Sequence, residues 1–130
     1  MKYRVLGKTG MQVSAIGIGT WQYGGEWGDS FDLPVVDKIL GRAHELGINL
    51  IDTAECYGDH HSERLIGNFL RGRRGQWVVA SKFGHKYHTA FDRTDIWDAQ
   101  GVTRSVEDSL QALQTDYIDL IQLHELECTT

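Results

Sequence analysis

Apolar positions along the chain alternate between short continuous runs and helical repeats. Four apolar runs stand at AIGIGTW, INLID, QWVVASK and YIDLIQLH. Between them, apolar side chains recur every three or four positions within residues 35–46, 65–70 and 102–113. Pro34 suits the first turn of the first helix, and Gly47 suits its end. This order predicts strands that alternate with helices, which is typical of parallel βα units whose strands are covered on both faces.

Two segments fall outside this alternation. YRVLG and MQVSAIGIG flank Lys8-Thr9-Gly10, which predicts an N-terminal β-hairpin with its turn near the glycine. Residues 83–97 show no clear period, and we predict a longer polar loop there. The alternating units could build either an open doubly wound sheet or part of a (β/α)-barrel, and composition does not separate the two.

Ionisable side chains stand at the last positions of three predicted strands, at Asp52, Lys82 and His124. In parallel α/β folds, ligands gather at the carboxyl ends of the strands. Successive side chains of a strand point to opposite faces, and each of these residues shares its face with mostly apolar neighbours. If those faces point inward, the three side chains converge at one mouth.

This convergence predicts a particular chemistry. A carboxylate at the end of an apolar strand needs a partner, and Lys82 would be the partner of Asp52. Tyr57, placed beyond the same strand by the Gly58 turn, has an ordinary pKa of about 10, which a neighbouring ammonium lowers toward the range useful for acid–base catalysis. We therefore expect Asp52 to hold Lys82 charged and Lys82 to tune Tyr57. His124 could then donate a hydrogen bond to a substrate oxygen.

Each of these residues has a simpler explanation when it is taken alone. Asp52 could be a helix N-cap or half of an ordinary buried ion pair. Lys82 could be a surface lysine at a strand end, and His124 a structural histidine. The presence of all four residue types at strand ends or adjacent turns favours a functional site over these separate explanations.

The chain resembles the N-terminal half of an aldo-keto reductase. The matching segments are LGKTGMQVSAIGIGTWQYGG, GINLIDTAECYGDHHSERLIGNFL, VVASKFG and SVEDSLQALQTDYIDLIQLH. The resemblance implies an α/β fold of the (β/α)8 TIM-barrel type, of which residues 1–130 would supply the N-terminal β-hairpin and the first four βα strands. It also implies reduction of small aldehydes or ketones with a nicotinamide cofactor, NADPH, with NADH as an alternative.

The same resemblance implies roles for individual residues. A catalytic tetrad would fall on Asp52, Tyr57, Lys82 and His124, with Tyr57 as the proton donor. The residues near the cofactor would be Gly19, Thr20, Trp21 and Asp52. The residues that contact substrate would be Trp21, Tyr57 and His124.

Other motifs carry weaker signals. GIGTWQYGG has Gln22 where a dinucleotide-binding loop requires its third glycine, so the Rossmann interpretation fails. Trp27 and Trp97 are predicted to cover apolar surface. Cys56 is predicted to be a small buried hydrophobe.

No metal site is predicted from the histidines. His60, His61, His85 and His88 stand near Cys56 without a recognised ligand spacing, so solvated loop histidines are the preferred interpretation. A metal-dependent barrel hydrolase is a further alternative. It would need a histidine pair at the first strand, where Gly19-Thr20-Trp21 stands, and it leaves Lys82 and Tyr57 unexplained.

Composition limits the partners. The chain is 41% hydrophobic and 24% charged with a net charge of −5, values that fit one globular domain and argue against nucleic acid or an anionic membrane as partner. The N-terminus lacks the apolar stretch of a signal peptide, and the two cysteines form no framework. We therefore expect a cytoplasmic protein with reduced thiols.

The length raises a separate expectation. Complete barrels of this type typically take about 250 residues, so the 130 residues are expected to be a truncated half-barrel. Open strand edges invite pairing with another chain, which predicts self-association through the open half-barrel. A non-catalytic module that binds a partner or a nucleotide remains the alternative function.

Overall fold

A computed structural model of the chain describes residues 1–124. The strands are β1 (Tyr3–Val5), β2 (Gln12–Ser14), β3 (Ile18–Gly19), β4 (Leu50–Asp52), β5 (Val78–Phe83), β6 (His85–Thr89), β7 (Asp92–Asp95) and β8 (Leu120–Leu123). The helices are α1 (Leu33–Glu45), α2 (His61–Leu70) and α3 (Ala99–Leu113), with short 3-10 turns at Trp21–Gly24 and Arg74–Gln76. None of the helices in residues 1–124 combines the length and the apolar character that a bilayer crossing requires.

A four-stranded parallel sheet forms the centre of the fold. Its strand order is β3-β4-β5-β8, so each strand lies beside the next barrel strand along the chain. The antiparallel pair of β1 and β2 precedes it. The predicted N-terminal hairpin and the four parallel βα strands are therefore confirmed. Parallel strands align their carboxyl ends at one edge, which is the edge that carries the ionisable side chains.

The core lies between one face of the sheet and the helices. Ile51 of β4 and Val79 of β5 have no exposed surface and pack with Leu40, Ile66 and Phe69 from the helices. Complete burial of such a side chain contributes about 1.5–3 kcal/mol. Because side chains alternate along each strand, the neighbours of Ile51 and Val79, including Asp52, point to the other face.

Local signals set the ends of the helices, and Pro34 and Gly47 stand at the two ends of α1 as predicted. The Asp32 carboxylate accepts a hydrogen bond from the Val35 amide, and Pro34 stands in the first turn of α1. Gly47 follows α1 with φ +85°, a conformation that only glycine adopts without strain. Asp98 caps α3 in the same way by accepting from the Gly101 amide.

The prediction of a loop over residues 83–97 is wrong. The chain there forms an antiparallel hairpin of β6 and β7, with an irregularity in register between Tyr87 and Thr89. The turn has no glycine or proline, and Phe91 adopts φ +65°, so the usual hairpin signal is missing. A long-range contact helps to hold this hairpin, since Arg93 of β7 pairs at 2.6 Å with Glu26, whose side chain is 1% exposed.

Candidate active site

Three of the predicted residues meet at the carboxyl edge of the sheet. Lys82, near the end of β5, donates a hydrogen bond to Asp52 Oδ2 at 2.8 Å and another to the Thr53 carbonyl at 2.9 Å. Its Nζ also lies 3.3 Å from the Tyr57 hydroxyl. The Lys82 side chain is largely buried whereas Asp52 is 42% exposed, so the carboxylate faces the open mouth. The ammonium therefore joins the carboxylate to the phenol, as the strand pattern predicts.

His124 completes the group directly after β8. Its ring lies edge-on to the ring of Tyr57, with centroids 5.7 Å apart. The His124 amide donates to the Phe83 carbonyl, which anchors this residue to the end of β5. The structure thus brings together all four side chains of the predicted tetrad.

Two glycines allow the Tyr57 turn to reach this position. Gly58 has φ +65°, and a methyl group on its Cα would overlap the backbone of Gly24. A methyl group on Gly24 would in turn overlap the backbone of Tyr57 and Gly58. The turn after β4 and the turn after β3 therefore touch through bare backbone, which places Trp21 beside Tyr57.

Trp21 forms one wall of the mouth, and its centroid lies 6.4 Å from that of Tyr57. Its indole Nε1 donates to Glu26 Oε2 at 2.6 Å, while the other oxygen of Glu26 accepts from Arg93. Trp27, which is 59% exposed, packs edge-on to Trp21 at 4.9 Å. Sequence analysis did not find the roles of Glu26 and Arg93, because they depend on the hairpin that it assigned to a loop.

Gly19 and Thr20, which are also predicted to lie near the cofactor, differ in their exposure. Gly19 is exposed at the mouth, and the space where its Cβ would stand is open. Thr20 is 1% exposed, and its hydroxyl donates to the Asp52 carbonyl while accepting from Ser62. In this structure the Thr20 side chain therefore ties the end of β3 to β4 and α2.

Burial and charge act in opposite directions on Tyr57. Burial raises the pKa of Tyr57 above its ordinary value of 10.0, and this effect outweighs the lowering by the Lys82 cation. The expected influence of Lys82 has the right sign, but the expected net lowering of the pKa is wrong for this structure. Sequence analysis missed this balance because it could not measure the desolvation of the phenol.

His124 and Cys56 are both held in their neutral forms. Burial, supported by the charge of Lys82, lowers the pKa of His124 to about 4. Burial raises the pKa of the Cys56 thiol to about 11, against the opposing effect of Arg93. Cys56 is fully buried, as predicted, and its Sγ lies 3.2 Å from His124 Nδ1.

A buried carboxylate supports this edge from behind. Glu63 of α2 has no exposed surface, accepts from the Ser81 hydroxyl at 2.5 Å and pairs with His60 Nδ1 at 2.6 Å. Burial disfavours the charged form of His60, but the hydrogen bond and charge of Glu63 raise the pKa of His60 above 6.5 overall. Ser81 stands next to Lys82 in β5, so this pair fixes α2 against the strand that carries the lysine.

Known proteins are similar to this chain in sequence. The sequence model of the Aldo/keto reductase family matches residues 15–130. L-galactose dehydrogenase from Arabidopsis thaliana is 35% identical over 98% of this chain and 39% of its own length. Aldo-keto reductase YhdN from Bacillus subtilis is 38% identical over 95% of this chain and 38% of its own length.

Solved structures of aldo-keto reductases resemble the fold of this chain. The holo form of aldo-keto reductase AKR11C1 from Bacillus halodurans has a TM-score of 0.81 and 36% identity, over 95% of this chain and 40% of that one. An aldo-keto reductase from Klebsiella pneumoniae in complex with NADPH has a TM-score of 0.70 and 32% identity, over 88% of this chain and 36% of that one.

The fold and the sequence match agree on one class, the (β/α)-barrel proteins. The chain belongs to the aldo-keto reductase family. The barrel interpretation is therefore confirmed over the open doubly wound sheet, with four of the barrel's eight strands among residues 1–124. The chain spans about two fifths of the length of the curated relatives it matches.

Proposed function

We propose that the chain carries the proton-transfer side of an NAD(P)H-dependent carbonyl reductase acting on aldehydes or ketones. The observation that supports this function is the position of Lys82 Nζ, in contact with both the Asp52 carboxylate and the Tyr57 hydroxyl. A phenol linked to an ammonium is suited to give up a proton in a reaction and to regain it afterwards.

In this proposal Tyr57 is the proton donor. Burial keeps the phenol protonated at neutral pH, which is the form that a donor needs. When the proton passes from the Tyr57 oxygen to the carbonyl oxygen, Lys82 stabilises the phenolate that forms. Asp52 accepts a hydrogen bond from Lys82 throughout and holds the ammonium in place.

His124 positions the carbonyl oxygen. The Cys56 thiol retains its proton and can donate it to His124 Nδ1, which leaves the imidazole protonated at Nε2. An Nε2–H group beside Tyr57 would donate to the substrate oxygen and align it with the phenol. Trp21, with Trp27 behind it, would cover the substrate from the side of β3.

The residues at the mouth fit the nicotinamide end of the cofactor. Gly19 is exposed with open space above its Cα, Trp21 offers a flat aromatic face beside it, and Asp52 is partly exposed. The bound cofactor would supply the hydride that attacks the carbonyl carbon. NADPH is the proposed cofactor, supported by the complex of the Klebsiella pneumoniae relative, with NADH as the alternative.

The test is a titration of the purified chain with NADPH, followed by tryptophan quenching, and then NADPH oxidation in the presence of a series of aldehydes. Titrations at several chain concentrations also test whether pairing between chains completes the site. Tyr57→Phe should reduce turnover by about 10²–10⁴-fold, the usual contribution of a general acid, and leave NADPH binding unchanged. Tyr117→Phe is the matched control, because Tyr117 stacks on Arg74, and should keep full activity.

Two outcomes would contradict the proposal. Equal turnover by the original chain and by Tyr57→Phe would remove Tyr57 from the mechanism. A folded chain that neither binds nor oxidises NADPH at any concentration would favour a binding module over a reductase.

A further inference from the structure

Cys56, His85 and His124 meet in space although they are far apart in the sequence. Each offers a ligand atom, and these three atoms lie within 4.8 Å of one another. Cys56 Sγ is 3.2 Å from His124 Nδ1, and the rings of His85 and His124 have centroids 5.1 Å apart. Each residue follows the carboxyl end of a parallel strand: Cys56 follows β4, His85 follows β5 and His124 follows β8. The parallel sheet therefore assembles the group.

One ring nitrogen of His85 has no partner within residues 1–124. Its side chain is 9% exposed, and its buried Nδ1 has no hydrogen-bond partner among residues 1–124. A buried ring nitrogen without a partner is costly, and a bound ion is one way to satisfy it. The other nitrogen, Nε2, lies 3.6 Å from the Asp95 carboxylate. This distance is too long for a hydrogen bond, but a small approach of Asp95 would give the carboxylate–histidine pair that commonly orients a metal-binding imidazole.

We propose that Cys56 Sγ, His85 Nδ1 and His124 Nδ1 bind a divalent zinc ion. Thiolate and imidazole ligands suit zinc. Three protein ligands with water in the fourth position are typical of zinc sites that keep one coordination position open. As the zinc–sulfur bond forms, the Cys56 thiol releases its proton to solvent. Zinc–sulfur and zinc–nitrogen bonds of about 2.3 and 2.0–2.1 Å place tetrahedral ligand atoms about 3.3–3.6 Å apart. The Cys56–His124 pair is already near this separation at 3.2 Å, and the group, whose atoms lie within 4.8 Å of one another, would draw together around the ion.

Carboxylates offset part of the positive charge around this group. The two nearby cations are already paired, Lys82 with Asp52 at 2.8 Å and Arg93 with Glu26 at 2.6 Å. Glu55 adds a carboxylate on the other side, where it accepts from the His85 amide. Cys56 is fully buried, but His124 is partly exposed at the mouth, so an ion can enter from that side.

Zinc at this position would compete with the reductase site. It would occupy His124 Nδ1 and take the place of the Cys56 hydrogen bond that orients this ring. Inhibition by zinc rests on the proposed function, whereas the binding of zinc does not. The two are therefore tested separately, and binding is measured without cofactor or substrate.

The experiment is a zinc titration of the purified chain in competition with a chromophoric chelator, together with the absorption spectrum of the cobalt form. We expect one zinc ion per chain with micromolar or tighter affinity, and a sulfur-to-cobalt charge-transfer band. Cys56→Ser and His85→Gln should each weaken binding about 100-fold or more, since loss of a ligand's supporting partner alone typically costs about 10–100-fold. Far-UV circular dichroism checks that each variant is folded.

Two matched controls separate this site from adventitious binding. His88→Gln removes a histidine of the same hairpin that is exposed and contacts Thr94, and Cys128→Ser removes the other thiol. Both should bind zinc as the original chain does. Loss of zinc binding in either control, unchanged binding in folded Cys56→Ser or His85→Gln, or a cobalt spectrum without the charge-transfer band would each overturn the proposal.

Discussion

The contact between Gly58 and Gly24 yields a quantitative prediction, because it joins the two turns that form the mouth. In Gly58→Ala the new methyl group meets two separate penalties. The first is the left-handed backbone at φ +65°, which costs about 1–2 kcal/mol for a residue with a Cβ. The second is the overlap with the Gly24 backbone, which cannot rotate away and which we place at about 1–3 kcal/mol, the usual cost of overpacking. We expect Gly58→Ala to lower the free energy of unfolding by about 1–5 kcal/mol, after an offset of about 0.4–1 kcal/mol from the stiffer unfolded chain.

Gly72→Ala isolates the first penalty. Gly72 has φ +72°, but no atom lies within 4 Å of the position that its Cβ would take. The free energy of unfolding of the Gly72→Ala variant should therefore fall by only about 1 kcal/mol. Urea unfolding followed by tryptophan fluorescence measures both variants. Gly58→Ala should also move Trp21 away from Tyr57 and change the native-state emission. Equal destabilisation of the two variants, or unchanged Trp21 emission, would refute the role of the glycine contact in building the mouth.

Two further predictions concern ionisation. Lys82→Met removes the cation that lowers the pKa of Tyr57, so this pKa should rise further above 10.0. The absorbance of tyrosinate measures it, with the Lys82→Met/Tyr57→Phe double variant as the reference for the other tyrosines. An unchanged pKa would contradict the coupling between Lys82 and Tyr57. The pKa of His60 is raised above 6.5 in the folded chain, so its pairing with Glu63 stabilises the fold fully below pH 6.5 and this stabilisation is lost as the pH rises through the folded-state value. The stability difference between the original chain and His60→Asn should therefore be largest in acid and shrink toward alkaline pH, as measured by thermal unfolding at several pH values. Burial alone would lower the pKa of His60, so the opposite trend would show that the pairing with Glu63 is unimportant.

Much of the site was predictable because its positions follow from period and topology. Asp52, Lys82 and His124 lie at the ends of apolar runs, and parallel strands bring such ends to one edge whatever their separation in sequence. The same rule would have grouped Cys56 and His85 with His124, since both follow strand ends. Spacing along the chain, the usual sequence signal of a metal site, does not bring these three residues together.

The sequence by itself determined the order of strands and helices, the caps of α1 and the alignment of ionisable residues at one edge, because each depends on short-range periodicity or on the type of one residue. Tertiary structure decided the rest. The hairpin of β6 and β7 lacks a local turn signal and is supported by the pairing of Arg93 with the buried Glu26. The net shift in the pKa of Tyr57 depends on how far neighbouring segments bury the phenol, a desolvation that no stretch of sequence contains.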